Sequence, residues 1–191
     1  VLMYLTEIED PGLRILPTHR VISGDACPEP GALLSLLAED FEVTPCGGSG
    51  GLGQALADGQ DSAVRIGVCL GAAGNWVLRL RDAEIARCTA HPGARRALAL
   101  LDVVVLQNLV LGPHLGVSPE DLTKGERVGY TSDEAEACAS VQQGKASAAF
   151  ILRPVPLTQV WEAALQGLTM PQKSTYFHPK LLTGLVLNPL D

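Results

Sequence analysis

Aromatic residues are scarce in this chain of 191 residues, which has three Phe, three Tyr and two Trp. So few flat side chains leave little material for stacking nucleic-acid bases. A basic surplus is also missing: Asp and Glu outnumber Lys and Arg by 21 to 14, the formal charge is -7 and the pI is near 5.0. Non-specific binding to nucleic acid or to an anionic membrane needs a broad cationic surface that displaces counterions, so neither partner is expected. A membrane-spanning helix needs roughly 20 consecutive apolar residues. The longest apolar run, 97–111, is interrupted by Asp102, Gln107 and Asn108, and reads as a core helix.

The five cysteines, Cys27, Cys46, Cys69, Cys88 and Cys138, contain no CxxC pair. An odd, dispersed set fits reduced, mostly buried thiols of a cytoplasmic protein better than a disulfide framework or a zinc site. His19, His91, His114 and His178 are equally scattered, and no metal centre is expected. The motifs GxSxG, GxxxxGK[ST] and HExxH are absent as well.

At this length, with 47% hydrophobic residues, the chain can bury a core, and one domain over 1–191 is expected. It starts at Val1, inside a strand-like run, which implies sequence upstream. Val1–Ile8 and Leu13–Ile22 flank the turn triplet Asp10-Pro11-Gly12 and read as a hairpin. Pro30 opens an apolar-periodic helix, since proline is tolerated in a first turn, and a strand from Phe41 to Cys46 follows. A second hairpin joins 62–70 to 76–80 through Gly71–Asn75, and a long, mostly buried helix covers 94–111. From Val128 onward strands alternate with helices: VGYTS, DEAEACASVQQG, ASAAFIL, LTQVWEAALQG and LTGLVLN. That rhythm implies crossovers and some parallel pairing. The expected class is α+β, a mixed sheet with N-terminal hairpins, C-terminal β-α-β-α-β crossovers, and helices packed on it.

Gly48, Gly50 and Gly53 satisfy GxGxxG before a short helical stretch. Such glycines let a backbone approach a pyrophosphate, but a barely two-turn helix followed by a hairpin points to a surface loop instead. In Pro17-Thr18-His19-Arg20, strand alternation places Thr18 and Arg20 on one face and His19 on the other. Asp102, in a run of apolar residues, requires a partner, Arg95 or another base. The run 133–136 (DEAE) reads as a helix start, where acids favour the positive end of the dipole.

The segment 169–191 is the most distinctive. Lys173, Ser174, Thr175, Tyr176, His178 and Lys180 fall within eight positions, and no carboxylate occurs from 163 to 190. Ammonium and hydroxyl donors free of competing acids can bind phosphate or carboxylate oxygens. The expected ligand-binding set is therefore Arg20, Thr18, Lys173, Ser174, Thr175, Tyr176 and Lys180, with His178 as the proton-transfer candidate. The plain alternative is a solvated connector whose hydroxyls cap neighbouring elements.

LPTHR (16–20), LLDVVVLQNLVLGPHLG (100–116), GKASAAFILRP (144–154) and above all MPQKSTYFHPKLLTGLVLNPL (170–190) together resemble the bacterial and archaeal family known as domain of unknown function 1015. The resemblance covers nearly the whole chain. It implies a protein about twice this length, of which this is the C-terminal half. The upstream half would carry an Ala-Asp-Gly-His-His-Arg-Tyr-Glu-like element, similar to the signature of the ParB and sulfiredoxin superfamily. That superfamily includes nucleotide-binding partition proteins and free-serine kinases, so the resemblance implies a nucleotide for the full-length protein. No His-His pair occurs in this sequence, and Gln107 stands where a histidine is expected in many relatives. Two readings follow: half of a cytoplasmic enzyme acting on a small anionic or phosphorylated metabolite, with phosphoryl transfer linked to serine; or a non-enzymatic, ParB-like regulatory module that self-associates as a homodimer.

Overall fold

The computed structural model describes residues 5–24, 27–47, 51–58, 63–83, 96–180 and 184. A six-stranded antiparallel sheet runs in the order β3-β5-β4-β7-β2-β6, with β2 at His19–Ile22, β3 at Phe41–Pro45, β4 at Arg65–Cys69, β5 at Asn75–Leu80, β6 at Val128–Thr131 and β7 at Ala148–Ile151. Two short strands, β1 (Arg14–Leu16) and β8 (Tyr176–His178), pair separately, with Leu16 opposite Tyr176. The class is α+β, as expected.

Helices cover both faces of the large sheet. Because side chains alternate along a strand, Ile66, Val68, Ala148, Phe150 and Ile22 face one core, under helix α1 (Pro30–Asp40) and the segment 98–111. Gly67, Cys69, Ala149, Ile151 and Val21 face the other, under α2 (Gly51–Ala57) and α6 (Glu134–Gln142). A Cβ on Gly67 would stand 3.1 Å from the Cβ atoms of both Leu52 and Ile151, so only glycine lets α2 pack this close. Cys69 is buried, while Cys27, Cys46 and Cys138 are half-buried; Cys88 lies outside the described residues.

Several expectations hold. The helix opened by Pro30, the strand after it and the hairpin of β4 with β5 are in place. The crossover from β6 through α6 to β7 is there too. It steps over β2, which pairs antiparallel with both, so β6 and β7 run in the same direction without touching. No described pair of strands is parallel, which corrects that part of the reading. The physical reason is that β2 occupies the slot between them.

The first hairpin is also corrected. Residues 13–22 divide into β1 and β2, which belong to different sheets, and residues 5–8 form no strand. Pro17 has no N–H for a ladder and separates the two. Apart from Gly184, the strand expected at LTGLVLN lies outside the described residues.

The expected continuous helix 94–111 is broken. Helix α3 (Arg96–Ala99) ends before Leu101, whose backbone is extended at φ -67 and ψ 133. Helix α4 (Asp102–Val105) then restarts and widens into a π-helical turn over Leu106–Leu111. The restart places Asp102 in a first turn, where an acid is favoured, and Arg153 grips both its carboxylate oxygens at 2.8 Å. The partner expected for Asp102 is thus "another base", Arg153, across the sheet; Arg95 lies outside the described residues.

Asp102→Ala takes from Arg153 its paired carboxylate and leaves it the Ala63 carbonyl. The expected loss is about 2 kcal/mol, below the range for a fully buried pair because Arg153 keeps 30% exposure. Urea unfolding checks this: the midpoint should fall at unchanged slope, and an unmoved midpoint contradicts it.

Candidate functional site

Antiparallel register sets Arg20 directly opposite Tyr130 on β6 and Phe150 on β7. Directly opposed residues project to the same face, and the Arg20 guanidinium lies 5.3 Å from the Tyr130 ring centroid. Arg20 is only 3% exposed. It donates to the carbonyl of Thr18 and, at 3.3 Å, to that of Lys173, and no carboxylate pairs with it among the described residues. Burial draws its pKa down to about 10, with the Tyr130 hydroxyl acting the other way. A buried, uncompensated cation is costly. The aromatic face supplies part of its stabilisation.

Lys173 reaches the same ring, its Nζ 5.9 Å from the Tyr130 centroid. Its backbone is left-handed, at φ 57. That conformation costs a non-glycine residue on the order of 1 kcal/mol and persists only where the surroundings impose it. Here the Lys173 carbonyl is held by Arg20, so the strained residue is tied to the sheet.

Thr18, Tyr130, Thr131, Ser132, Lys173, Thr175, Tyr176 and Lys180 line one cavity of ≈ 600 Å³. Five of the residues expected from sequence therefore meet: Thr18, Lys173, Thr175, Tyr176 and Lys180. The described lining contains no carboxylate, although Glu136 at the margin accepts from the Thr131 hydroxyl. Lys180 sits 4.5 Å from the Tyr176 ring centroid.

Three expected residues do not line this cavity. Ser174 is buried and donates to the Pro171 carbonyl at 2.6 Å, the capping role of the plain alternative. Arg20 instead lines an apolar slot of ≈ 210 Å³ with Gln107, Asn108 and Val104, and Tyr130 lines both this slot and the cavity. His178 is exposed on β8, paired with Arg14. Tyr130, Thr131 and Ser132 were missed by the sequence reading. Their signal was the hydroxyl run YTS ahead of the helix start at Asp133, but only the strand register shows that it faces LPTHR.

The glycine motif has an internal occupant. Gly48 and Gly50 lie outside the described residues, but the amides of Leu52 and Gly53 donate to the two carboxylate oxygens of Glu134, at 2.7 and 2.9 Å. A Cβ on Gly53 would come within 2.6 Å of Glu134 Oε2. The glycine does admit an anion close to the backbone, and that anion belongs to α6. The helix start expected at 133–136 is in place, with Asp133 as its cap: it accepts from Ala135 N–H and Glu136 N–H at 2.8 and 3.2 Å.

The family model described as "Protein of unknown function (DUF1015)" matches residues 1–104. The chain belongs to this family. The DUF1015 match ends in the broken helix and leaves the closing motif, 170–190, outside it. No curated protein matches the chain. Among solved structures, a conserved hypothetical protein from Pyrococcus furiosus is similar at 14% identity and TM-score 0.48, covering 90% of this chain and 59% of that one. A free serine kinase in complex with AMP is similar at 13% identity and TM-score 0.47, covering 90% and 56%. This DUF1015 chain thus spans under three-fifths of the length of these structures, and likeness at this level carries no functional argument.

No described helix is long and apolar enough to cross a membrane. No group of three or more described His, Cys, Asp or Glu gathers as metal ligands.

His19 points to the opposite face from Arg20, as alternation requires. Burial holds its pKa below the ordinary value of 6.5, with Glu134 pulling upward. The unfolded chain then binds more protons than the folded one as pH falls below 6.5, so stability is full above that pH and lost as pH drops toward the folded value. Asn in place of His19 keeps an acceptor near Nδ1 and removes the titration. Urea midpoints at pH 7.5 and pH 5.5 should differ less for His19→Asn than for the unaltered chain; equal differences contradict the assignment.

Proposed function

We propose that the cavity between β6 and the segment 173–180 binds a small anionic, phosphoryl-bearing metabolite, and that the chain is the anion-holding part of an enzyme. The observation that carries this reading is the convergence of Lys173 and Lys180 with the hydroxyls of Thr18, Ser132 and Thr175 on one cavity without a described carboxylate in its lining. Two ammonium groups neutralise oxyanion charge, and hydroxyls add directed donors. The buried charge of Arg20, packed against the Tyr130 ring that also lines the cavity, adds positive potential close by.

Phosphoryl transfer is the reaction class that fits such a cradle, because there the protein mainly positions groups and neutralises charge. In this reading the upstream half of a longer protein supplies the remaining groups and a nucleotide, and the metabolite is linked to serine. His178 is given no role, since it stands outside the cavity lining.

Thermal shift with inorganic phosphate and pyrophosphate tests the cavity directly. A ligand that binds only the folded state stabilises it by about 2.7 kcal/mol at a hundred times its Kd. A saturable shift is expected for the unaltered chain and for neither Lys173→Gly nor Lys180→Ala. Lys173→Gly also relieves the left-handed backbone, so it should stay folded. Shifts of equal size in both variants would sink the reading.

Self-association, the second reading, draws on a separate observation. Trp161 and Leu165 lie one turn apart on helix α7 (Leu157–Leu165), exposed to 55% and 69%. Apolar side chains so placed suit a symmetric contact with a second copy. Sedimentation should then show a dimer that Trp161→Glu dissociates; a monomer at all concentrations removes this reading.

A further inference from the structure

His19 belongs to a different cavity from the lysines. It is 3% exposed and faces the side of the sheet covered by α2 and α6. Its Nδ1 accepts from the Leu152 N–H at 3.2 Å. With Nδ1 accepting, the neutral ring carries its proton on Nε2, and among the described residues nothing accepts from that N–H. Buried donors are almost always satisfied in folded proteins. This one lies in the wall of a cavity of ≈ 450 Å³, shared with Pro17, Gly53, Ser132, Glu134 and Arg153.

The other polar groups there are already held in place. The Glu134 carboxylate is fixed by the amides of Leu52 and Gly53, which leaves lone pairs on both oxygens. Arg153 is bound to Asp102 and to the Ala63 carbonyl, so its charge is offset. Besides the Ser132 hydroxyl, the cavity therefore offers a fixed acceptor with negative charge, Glu134, and a neutral donor, His19. Ser132 lines both this cavity and the cationic one.

We propose that the His19 cavity is a second binding site, for a small primary amine that also carries an acceptor oxygen. Its ammonium meets the Glu134 carboxylate and its oxygen accepts from His19 Nε2. A carboxylate or phosphate is disfavoured here, because Glu134 repels it. Apart from Ser132, which lines both cavities, the site is separate from the anion reading: none of its groups is a lysine and the charge of Glu134 is of opposite sign.

Ethanolamine is the probe, with ethylamine lacking the oxygen and acetate lacking the amine. The chain is labelled with 15N, and the His19 ring nitrogens and the backbone amides of Gly53 and Leu152, which line this cavity and not the cationic one, are followed during titration. Saturable shifts are expected with ethanolamine, with Kd on the order of millimolar for so small a ligand. Ethylamine should bind at least tenfold more weakly, and acetate not at all. His19→Asn retains an acceptor for the Leu152 N–H but lacks the Nε2 donor, and should weaken ethanolamine at least tenfold. The unaltered chain decides the matter even if that variant fails to fold: a His19 Nε2 signal that ethanolamine does not shift overturns the proposal. Saturating phosphate should leave the titration in place. Competition by phosphate would assign the amine to the cationic cavity and overturn the proposal without touching the anion reading.

Discussion

The burial of Arg20 against Tyr130 is the constraint around which this end of the molecule is organised. A guanidinium inside a protein must be met by acceptors or by a counter-charge. Here two carbonyls and an aromatic face meet it, and no described carboxylate does. One of those carbonyls is that of Lys173, so holding the guanidinium also holds the closing segment against the sheet. Left-handed backbone at Lys173 follows from the same tie. The lysine side chain is thereby turned over the ring that Arg20 occupies, and two cations come to share one aromatic residue.

Strand β2 divides the chemistry of the molecule by its alternation. Arg20 faces the larger core with Tyr130 and Phe150, and His19 faces α2 and α6. Glu134 acts as a strut on that second face, since its carboxylate is bonded to two amides of α2 from the first turn of α6. Asp102 and Arg153 do the same for the first, joining the restart of the broken helix to the residue two beyond β7. Each tie links segments far apart in sequence: 82 and 81 residues for Glu134 with Leu52 and Gly53, and 51 for Asp102 with Arg153.

Much of this was legible in the chain. Proline at the first turn of α1, the loop at Gly71–Gly74 and the acids opening α6 are local features, and each produced the element its chemistry implies. The separation of His19 from Arg20 followed from a period of two, which needs no partner strand. The grouping of lysines and hydroxyls at 173–180 was also visible, because charge and hydroxyl content are written in the residue types.

Other features depend on contacts that a linear pattern does not encode. Ser174 and Thr175 are adjacent and chemically alike, yet one caps a carbonyl in the interior and the other lines the cavity. Leu101 has no proline or glycine beside it to announce the break, and the pairing of the next residue, Asp102, with Arg153 is a contact 51 residues away. The β6–α6–β7 unit looks like a parallel crossover from sequence, and the insertion of β2 between its strands replaces that parallel pair with two antiparallel ones. Sequence alone thus determined the class of elements, the faces of β2 and the cationic character of the closing segment, because these follow from nearest neighbours and periodicity. Tertiary structure decided which hydroxyls are free, which cation is buried and where Glu134 spends its charge, because those depend on strand register and long-range pairing.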